Sequence, residues 1–167
     1  MKIVIVGAGE VGRYVAKMLS NENHDITIMD ESEDRLQDLD TNYDIMSRVG
    51  SPTSITDLQM CGVRNCDLFI AVYPSESVNT TACIIASKLG ARKTVARIDN
   101  YEYLLPKNKE MLKNLGIDKL IYPEVLAATE IVQSLKRSWI REYRTFSNEA
   151  LVLVCVKVRE NAEIINK

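Results

Sequence analysis

The sequence predicts an α/β fold, a doubly wound parallel sheet of about six strands with helices on both faces. Strand-like and helix-like segments alternate along the chain with short connections, as in such a sheet. The first strand, Ile3–Val6, is an uninterrupted run of β-branched residues, typical of a strand covered on both faces. A turn with three glycines, between Gly7 and Gly12, follows it and leads into a helical pattern.

The later elements follow from periodicity and end signals. Apolar residues at helical spacing predict a helix over 11–19, and Ile26–Met29 is a second strand that ends at Asp30. Ser32 is a suitable N-cap for a surface helix over 31–39. Further strands are predicted at 44–49, 67–72, 94–98 and 120–122, and further helices at 54–62, 75–89, 103–115 and 123–136.

The pattern changes after Arg137. Residues 138–149 are polar with interspersed aromatics and show no clear period, and Ala150–Val158 then forms one long strand without a predicted partner. Because a strand needs neighbours to be buried, we expect residues from about 148 to begin a second module that this chain lacks. The predicted domains are therefore 1–140 and 141–167, the second being a linker and the incomplete start of another subdomain.

Composition narrows the possible classes of function. The 167 residues are 46% apolar, and 21 basic against 23 acidic side chains give a net charge of −2, which argues against a nucleic-acid partner. We find no signal segment and no apolar run long enough to span a bilayer, so we expect a cytosolic protein. The four cysteines form no C-x-x-C pair, and with a single histidine they predict reduced, mostly buried thiols and no metal site.

The glycine turn predicts a phosphate site. GAGEVG fits G-x-G-x-x-G with a strand before it and a helix after it. Gly7 allows the sharp turn, Gly9 lets a pyrophosphate approach the backbone, and Gly12 lets the helix pack closely on the strand. The helix start then offers free N–H groups and the positive end of its dipole to the phosphates.

An acidic residue completes the pattern. Asp30 lies 18 residues after Gly12, at the end of the second strand, where its carboxylate can accept hydrogen bonds from a ribose diol and disfavours a 2′-phosphate. The motif detects adenosine plus diphosphate but not nicotinamide, so NAD, NADH, ATP and ADP all stay open. The predicted cofactor-binding residues here are Gly7, Ala8, Gly9, Glu10, Val11, Gly12 and Asp30.

Other candidates lie at strand ends that should face the same crevice. Ser51 follows the third strand, where an adenine edge is commonly met, Val72 and Tyr73 follow the fourth, and Arg97 ends the fifth. We include these four in the predicted site, although Tyr73 could equally have a surface or core role. Arg13, after the last glycine, could meet phosphate or point outward.

No residue pattern predicts catalysis. His24 lies in a turn before the second strand, at the sheet edge opposite the ligand. Tyr103 and Lys107 match Y-x-x-x-K only formally, because Pro106 interrupts the helix that this pair requires. We therefore predict a non-enzyme without catalytic residues. The alternative is the cofactor-binding half of an NAD-dependent oxidoreductase.

The last predicted helix carries an apolar stripe. Ile131, Leu135 and Trp139 follow at four-residue spacing, with Val132 alongside. Such a stripe can pack in the core or form a contact surface for another subunit.

Taken together, the motifs resemble one family. GAGEVG, ITIMD, Gly50 with a following helix ending CGV, FIAV with a later Ser-Glu and Asn, VARID and IYPE occur in this order. The set is similar to the N-terminal nucleotide-binding domain of TrkA-type potassium uptake proteins, the RCK or KTN family. The likeness covers roughly residues 1–140, and 150–167 is similar to the start of the family's C-terminal subdomain.

The resemblance implies a Rossmann-like fold and a regulatory role. Family members are cytosolic subunits that bind NAD(H) or ATP/ADP, assemble as dimers or higher rings, and act on a membrane potassium channel or transporter of the TrkH or KtrB type. A cytoplasmic location, peripheral to the inner face of the membrane through that partner, follows from it. Nucleotide binding is then passed to the pore as domain rearrangement.

The resemblance also implies residue roles. The three glycines would hold phosphates, Asp30 the ribose, Ser51 the adenine side and Arg97 the outer phosphates, while the helix from Pro123 would pair subunits. Tyr73, Glu76 and Asn79 would line the crevice. The chain departs from the family at two places: Tyr73-Pro74 replaces the usual Thr and Asn or Asp, and Asp99 stands where a second arginine is common.

Overall fold

The structure is a computed structural model that describes residues 1–37, 39, 43–136, 140–146 and 151–158. It divides into two compact units, Met1–Pro123 and Glu124–Lys167. The strands of the first unit are β1 (Lys2–Val6), β2 (Asp25–Asp30), β3 (Ile45–Val49), β4 (Leu68–Ala71), β5 (Thr94–Arg97) and β6 (Lys119–Ile121). Its helices are α1 (Glu10–Ser20), α2 (Glu33–Leu36), α3 (Ile55–Met60), α4 (Glu76–Leu89) and α5 (Pro106–Asn114), with short 3-10 helices at Val63–Asn65 and Tyr101–Leu104.

The six strands form one parallel sheet in the order β3-β2-β1-β4-β5-β6. This confirms the predicted doubly wound sheet. The chain reverses its direction of travel across the sheet between β1 and β4, and ligands of such folds bind at the carboxyl ends of the strands near that point. The turn that follows β1 lies there.

Helices cover both faces of the sheet, so two apolar cores form. Side chains of a strand alternate between faces, and β1 divides its residues accordingly. Val4 and Val6 belong to the core under α3, α4 and α5, together with Phe69, whereas Ile3 and Ile5 belong to the core under α1 and α2. All four residues of the predicted first strand are buried, as the apolar run indicated.

Proline changes one predicted helix. The sequence predicts a helix over 103–115, but the structure forms the 3-10 helix Tyr101–Leu104 and begins α5 at Pro106. Proline lacks an N–H and has a fixed φ, so it suits the first turn of a helix and ends whatever precedes it. Tyr103 and Lys107 therefore lie on different elements, which removes the formal Y-x-x-x-K pair.

The second unit contains α6 (Pro123–Lys136), β7 (Ile140–Phe146) and β8 (Leu151–Val156). The prediction that the long strand has no partner is wrong, because β7 pairs with β8 as an antiparallel hairpin. Charged residues at three of its seven positions and a register shift between Ile140 and Glu142 hide the two-residue period of β7. Trp139 and residues 147–150 and 159–167, which entered the sequence predictions, lie outside the described residues.

Apolar side chains of the second unit are exposed. On α6, Ile131, Val132 and Leu135 are exposed, and so is every residue of β8. No helix within the described part of the chain has both the length and the apolar character needed to cross a membrane.

The cysteines give a direct test of this fold. Burial raises the pKa of Cys61 and of Cys66 to about 11 and that of Cys83 to about 12, whereas Cys155 is exposed on β8. Because the thiolate is the reactive form, we expect a disulfide reagent at mildly alkaline pH to modify Cys155 rapidly and the other three only as the protein unfolds. Absorbance of the released thiol reports the number and rate of reacting groups.

Cys155→Ser is the matched variant, and it should remove the rapid phase while leaving the slow one. In denaturant all four thiols of the native sequence should react at once. Two or more rapid thiols in the folded protein would contradict the packing of the first unit.

Candidate functional site

The turn after β1 is held between two neighbouring strands. Gly7 donates its N–H to the Met29 carbonyl of β2 at 2.8 Å and has a φ of +101°, which favours glycine. A Cβ at this position would lie 2.8 Å from the Tyr73 nitrogen and 2.9 Å from the Val72 carbonyl carbon. The backbone after β4 therefore runs directly against the turn, and no side chain fits at Gly7.

The other two glycines have opposite surroundings. A Cβ on Gly12 would overlap the carbonyl oxygen of Gly7, so α1 packs against the turn at backbone distance, which is the predicted role. Gly9, with φ −69°, has no heavy atom within 4 Å of the position a Cβ would take. Of the three glycines in the turn, only Gly9 therefore has open space beside it.

The start of α1 faces this space. Gly9 is its N-cap and provides no side-chain hydrogen bond, and the first N–H groups of any helix lack acceptors within the helix. Glu10 and Val11 in this first turn are exposed. The helix start is chemically suited to an anionic group.

Asp30 fixes the turn from the β2 side. Its side chain is 1% exposed, and its two carboxylate oxygens accept hydrogen bonds from the N–H of Ala8 at 2.7 Å and of Ser32 at 2.9 Å. The Arg35 guanidinium approaches the oxygen that Ala8 also contacts, at 3.6 Å. Since a carboxylate has about four acceptor positions, Asp30 keeps capacity for further donors.

The end of β3 is also bonded to Asp30. Gly50 donates its N–H to the Asp30 carbonyl at 3.0 Å, which sets the following residue, Ser51, beside the end of β2. The Ser51 N–H donates to the Asp57 carboxylate at 2.9 Å, and its hydroxyl lies 3.5 Å from that of Thr53. Ser51 is half-buried, as a residue at the rim of a crevice would be.

On the other side of the turn, Asn79 fixes two strand ends. Its amide oxygen accepts the Tyr73 N–H at 2.7 Å, and its amide nitrogen donates to the carbonyls of Tyr73 at 2.8 Å and Arg97 at 3.0 Å. Asn79 is 1% exposed. The resemblance places it in the lining of the crevice, whereas its amide bonds the backbones of Tyr73 and Arg97. Val72, also predicted, is buried, with its side chain against Gly12.

Arg97 has an unsatisfied donor. Its Nη2 contacts the Asp99 carboxylate at 3.2 Å, but its Nε is buried and has no hydrogen-bond partner. Glu76 accepts the N–H groups of Asp99 and Asn100, each at 2.6 Å, and so fixes the loop that follows Arg97. A buried N–H without an acceptor is rare and costly in free energy. An anionic group beside Arg97 would supply an acceptor for this N–H.

Arg13 has a role that the sequence left open. Its guanidinium donates to the carbonyls of Arg35 at 2.5 Å and Gln37 at 3.3 Å. Arg13 thus connects α1 to the end of α2.

Sequence reasoning missed Glu31. The Tyr73 hydroxyl donates to its carboxylate at 2.8 Å, and this hydrogen bond raises the pKa of the tyrosine. The contact joins residues that are 42 positions apart in the chain. The only available signal was the pairing of an extra acid after Asp30 with the unusual phenol at position 73.

The rejected catalytic candidates lie elsewhere. His24 is half-buried at the amino-terminal edge of β2, beside Glu22 at 3.6 Å and the Met1 amino group at 3.5 Å, which agrees with its predicted place opposite the site. Among the residues that the structure describes, no group of three or more His, Cys, Asp or Glu side chains could hold a metal ion.

Comparisons with known proteins agree with this geometry. The profile of the TrkA-N domain matches residues 3–123. The Trk system potassium uptake protein TrkA of Haemophilus influenzae is 38% identical over 159 residues, which are 94% of this chain and 35% of that protein. The chain therefore spans about a third of the length of this relative.

Solved structures share the fold. The TrkA-N domain of the inner membrane protein ybaL from Escherichia coli has a TM-score of 0.69 at 16% identity, covering 80% of this chain and 96% of that one. The GsuK channel bound to NAD has a TM-score of 0.59 at 22% identity, covering 72% of this chain and 21% of that one. The same protein bound to ADP also has a TM-score of 0.59 at 22% identity, covering 72% and 30%.

The glycines permit a paired test of the turn. In Gly12→Ala the new methyl group would overlap the carbonyl oxygen of Gly7. Because the backbone fixes the positions of both groups, the substitution should lower the free energy of unfolding by about 3 kcal/mol or more. The methyl group of Gly9→Ala would lie in open space, and the φ of residue 9 is allowed for alanine. This substitution should therefore change the free energy of unfolding by less than about 1 kcal/mol. Urea unfolding followed by circular dichroism measures both, and equal destabilisation of the two variants would contradict the close packing of α1 on the turn.

Proposed function

The chain belongs to the TrkA-N domain family, and from that premise we propose that it is the nucleotide-binding part of a regulatory subunit of a potassium uptake system. The observation that carries the proposal is the contrast between the glycines. The backbone crowds Gly7 and Gly12, while Gly9 faces open space at the start of a helix. Such a turn suits a pyrophosphate group.

The ligand we propose is NAD(H), with ATP or ADP as the alternative. The residues of the turn, Gly7, Ala8, Gly9, Glu10, Val11 and Gly12, would hold the diphosphate. Asp30 would accept the ribose diol with the capacity that its two N–H partners leave, and Ser51 would meet the adenine side. The NAD-bound and ADP-bound GsuK structures, which share the fold, support this class of ligand.

Val72, Tyr73 and Arg97 would form the other half of the site. Val72 and Tyr73 follow β4 and Arg97 ends β5, on the far side of the turn from Asp30. The buried Nε of Arg97, which has no acceptor, suits an outer phosphate or the second half of a dinucleotide. Asp99 already contacts the Arg97 guanidinium, so it would reduce the charge available to a terminal phosphate.

The role we propose is regulatory and not catalytic. A ligand changes a conformational equilibrium by binding one state more tightly than another. We propose that nucleotide binding is passed in this way to a membrane potassium transporter or channel subunit of the TrkH or KtrB type. The protein would then act in the cytoplasm, at the inner face of the membrane through that partner.

We further propose that residues 1–140 are the nucleotide-binding domain and 141–167 the linker and start of a C-terminal subdomain. Homo-oligomers would form through the predicted stripe Ile131, Leu135 and Trp139, of which Ile131 and Leu135 lie on α6. Ile131 and Leu135 are 62% and 71% exposed, which is unusual for large apolar side chains on a helix.

Calorimetric titration with NADH, NAD, ATP and ADP tests the ligand. We expect at least one of them to bind with a Kd well below millimolar. Gly9→Val, whose side chain would fill the open space, should weaken that binding about tenfold or more, since 1.4 kcal/mol of lost contact is a factor of ten.

The same Gly9→Val protein should stay folded, with an unfolding midpoint close to that of the native chain, because nothing lies within 4 Å of the position of the new Cβ and the loss of a glycine N-cap costs only about 1 kcal/mol. Loss of binding is then due to the site and not to the fold. If none of the four nucleotides binds better than millimolar, the proposed function is wrong.

Sedimentation velocity tests the proposed association. The native chain should sediment as a dimer or larger species, and Leu135→Lys should shift it toward monomer because a charge is costly in an apolar contact. Ser134→Lys adds the same charge at the neighbouring exposed position and should leave the assembly intact. A native chain that stays monomeric at high concentration would contradict the assignment.

A further inference from the structure

A hydrogen bond connects the two sides of the glycine turn. The Tyr73 hydroxyl, after β4, donates to the Glu31 carboxylate, after β2, at 2.8 Å. β1 lies between these two strands in the sheet, so the bond joins positions about two strand spacings, or roughly 10 Å, apart. It crosses the sheet edge where β1 leads into Gly7.

Both ends of this bridge have a fixed backbone. The N–H and carbonyl of Tyr73 are bonded to Asn79, and its backbone lies against Gly7. Glu31 follows Asp30, whose carboxylate is bonded to Ala8 in the turn. The bridge is therefore made by two side chains on a rigid frame, and rotation of those side chains is enough to open it.

The bridge lies beside the group that would hold a ribose. Asp30 has a side chain only 1% exposed, so an incoming hydroxyl reaches its oxygens only when neighbouring side chains move. Arg35 is one such neighbour, at 3.6 Å. The Tyr73 phenol is also close, because it is bonded to Glu31, the residue that follows Asp30 in the chain.

A dinucleotide in the proposed site would cross the Tyr73–Glu31 hydrogen bond. Its adenosine half would lie at the Asp30 side of the turn and its other half at the Arg97 side, with the diphosphate between them on the turn. The phosphates would also come close to the negative charge of Glu31. Ligand and bridge thus compete for one strip of the sheet edge.

On the basis of the proposed nucleotide-binding function, we propose that the Tyr73–Glu31 hydrogen bond is a latch that closes the site, so that the bond and a bound adenosine diphosphate group exclude each other. Only the open form binds, so the apparent Kd equals the Kd of the open form divided by the fraction of the protein that is open. For a partly exposed, charge-assisted hydrogen bond this corresponds to roughly a three- to tenfold weaker apparent affinity.

Calorimetric titration of the whole chain with ADP and with NADH tests the latch. Tyr73→Phe keeps the ring and removes the donor, and Glu31→Ala removes the acceptor. Each variant should bind whichever nucleotide the native chain binds roughly three- to tenfold more tightly. The double variant should bind no more tightly than the better single one, because a bond can be removed only once.

Two matched variants separate the latch from general effects. Tyr14→Phe removes a hydroxyl from an exposed tyrosine of α1 and should leave affinity unchanged. Glu33→Ala removes one nearby negative charge from the first turn of α2 and measures the purely electrostatic gain, which the gain of Glu31→Ala should exceed. Thermal unfolding of each variant confirms that it is folded.

The outcomes distinguish the latch from the function on which it depends. If the native chain binds nucleotide and Tyr73→Phe binds equally or less tightly, the latch is overturned and the proposed function stands. The latch is also overturned if the gains of Tyr73→Phe and Glu31→Ala simply add. If no variant, including the unlatched ones, binds nucleotide, the proposed function fails and the latch fails with it.

Discussion

The site depends on one constraint, the backbone contact of the turn after β1 with its two neighbours. Gly7 touches the chain after β4, and Gly12 brings α1 onto the Gly7 carbonyl, so the turn meets both of these neighbours at backbone distance. This contact fixes where the helix dipole points and where space stays open. Everything else at the carboxyl edge of the sheet is arranged around it: Asp30 bonds the turn from one side, and Asn79 holds the facing strand ends from the other.

The polar groups of this edge combine two roles that are often separate. Asp30 stabilises the turn through Ala8 and Ser32, and in the proposed site it would also accept hydrogen bonds from a ribose. A buried carboxylate without such donors would be costly, so the turn and the acid stabilise each other whether or not a ligand is bound. Asn79 is the counterpart on the far side, a buried amide with both polar atoms bonded to backbone.

The sequence predicted most of this and missed what depends on long-range side-chain geometry. The doubly wound sheet, the packing roles of Gly7 and Gly12 and the place of Asp30 follow from local patterns, because a strand–turn–helix with an acid after the next strand has few ways to fold. β7 was missed because its charges and register shift hide the alternation on which strand prediction relies. Glu31, and the inward role of Asn79, were missed because no spacing rule connects a residue to a partner across the sheet.

On the proposed function, these existing contacts at the carboxyl edge of the sheet also bear on how nucleotide binding would be transmitted. If every polar atom of a site lacked a partner in the free protein, the ligand would bind without changing any internal contact. Binding would then have little effect on the rest of the protein. Here Asp30 is already bonded to the turn and to the segment that follows β2, and it faces Arg35 of α2. Glu31 and Tyr73 are bonded to each other, and Arg97 contacts Asp99 in the loop after β5. In the proposed site a ligand would use the acceptor capacity left at Asp30 and the unpartnered Nε of Arg97, and it would displace the contact between Tyr73 and Glu31. Arg13 connects α1 to the end of α2, beside these residues. Coupling requires differential contacts between two states, and the loss of the Tyr73–Glu31 contact on binding would supply one.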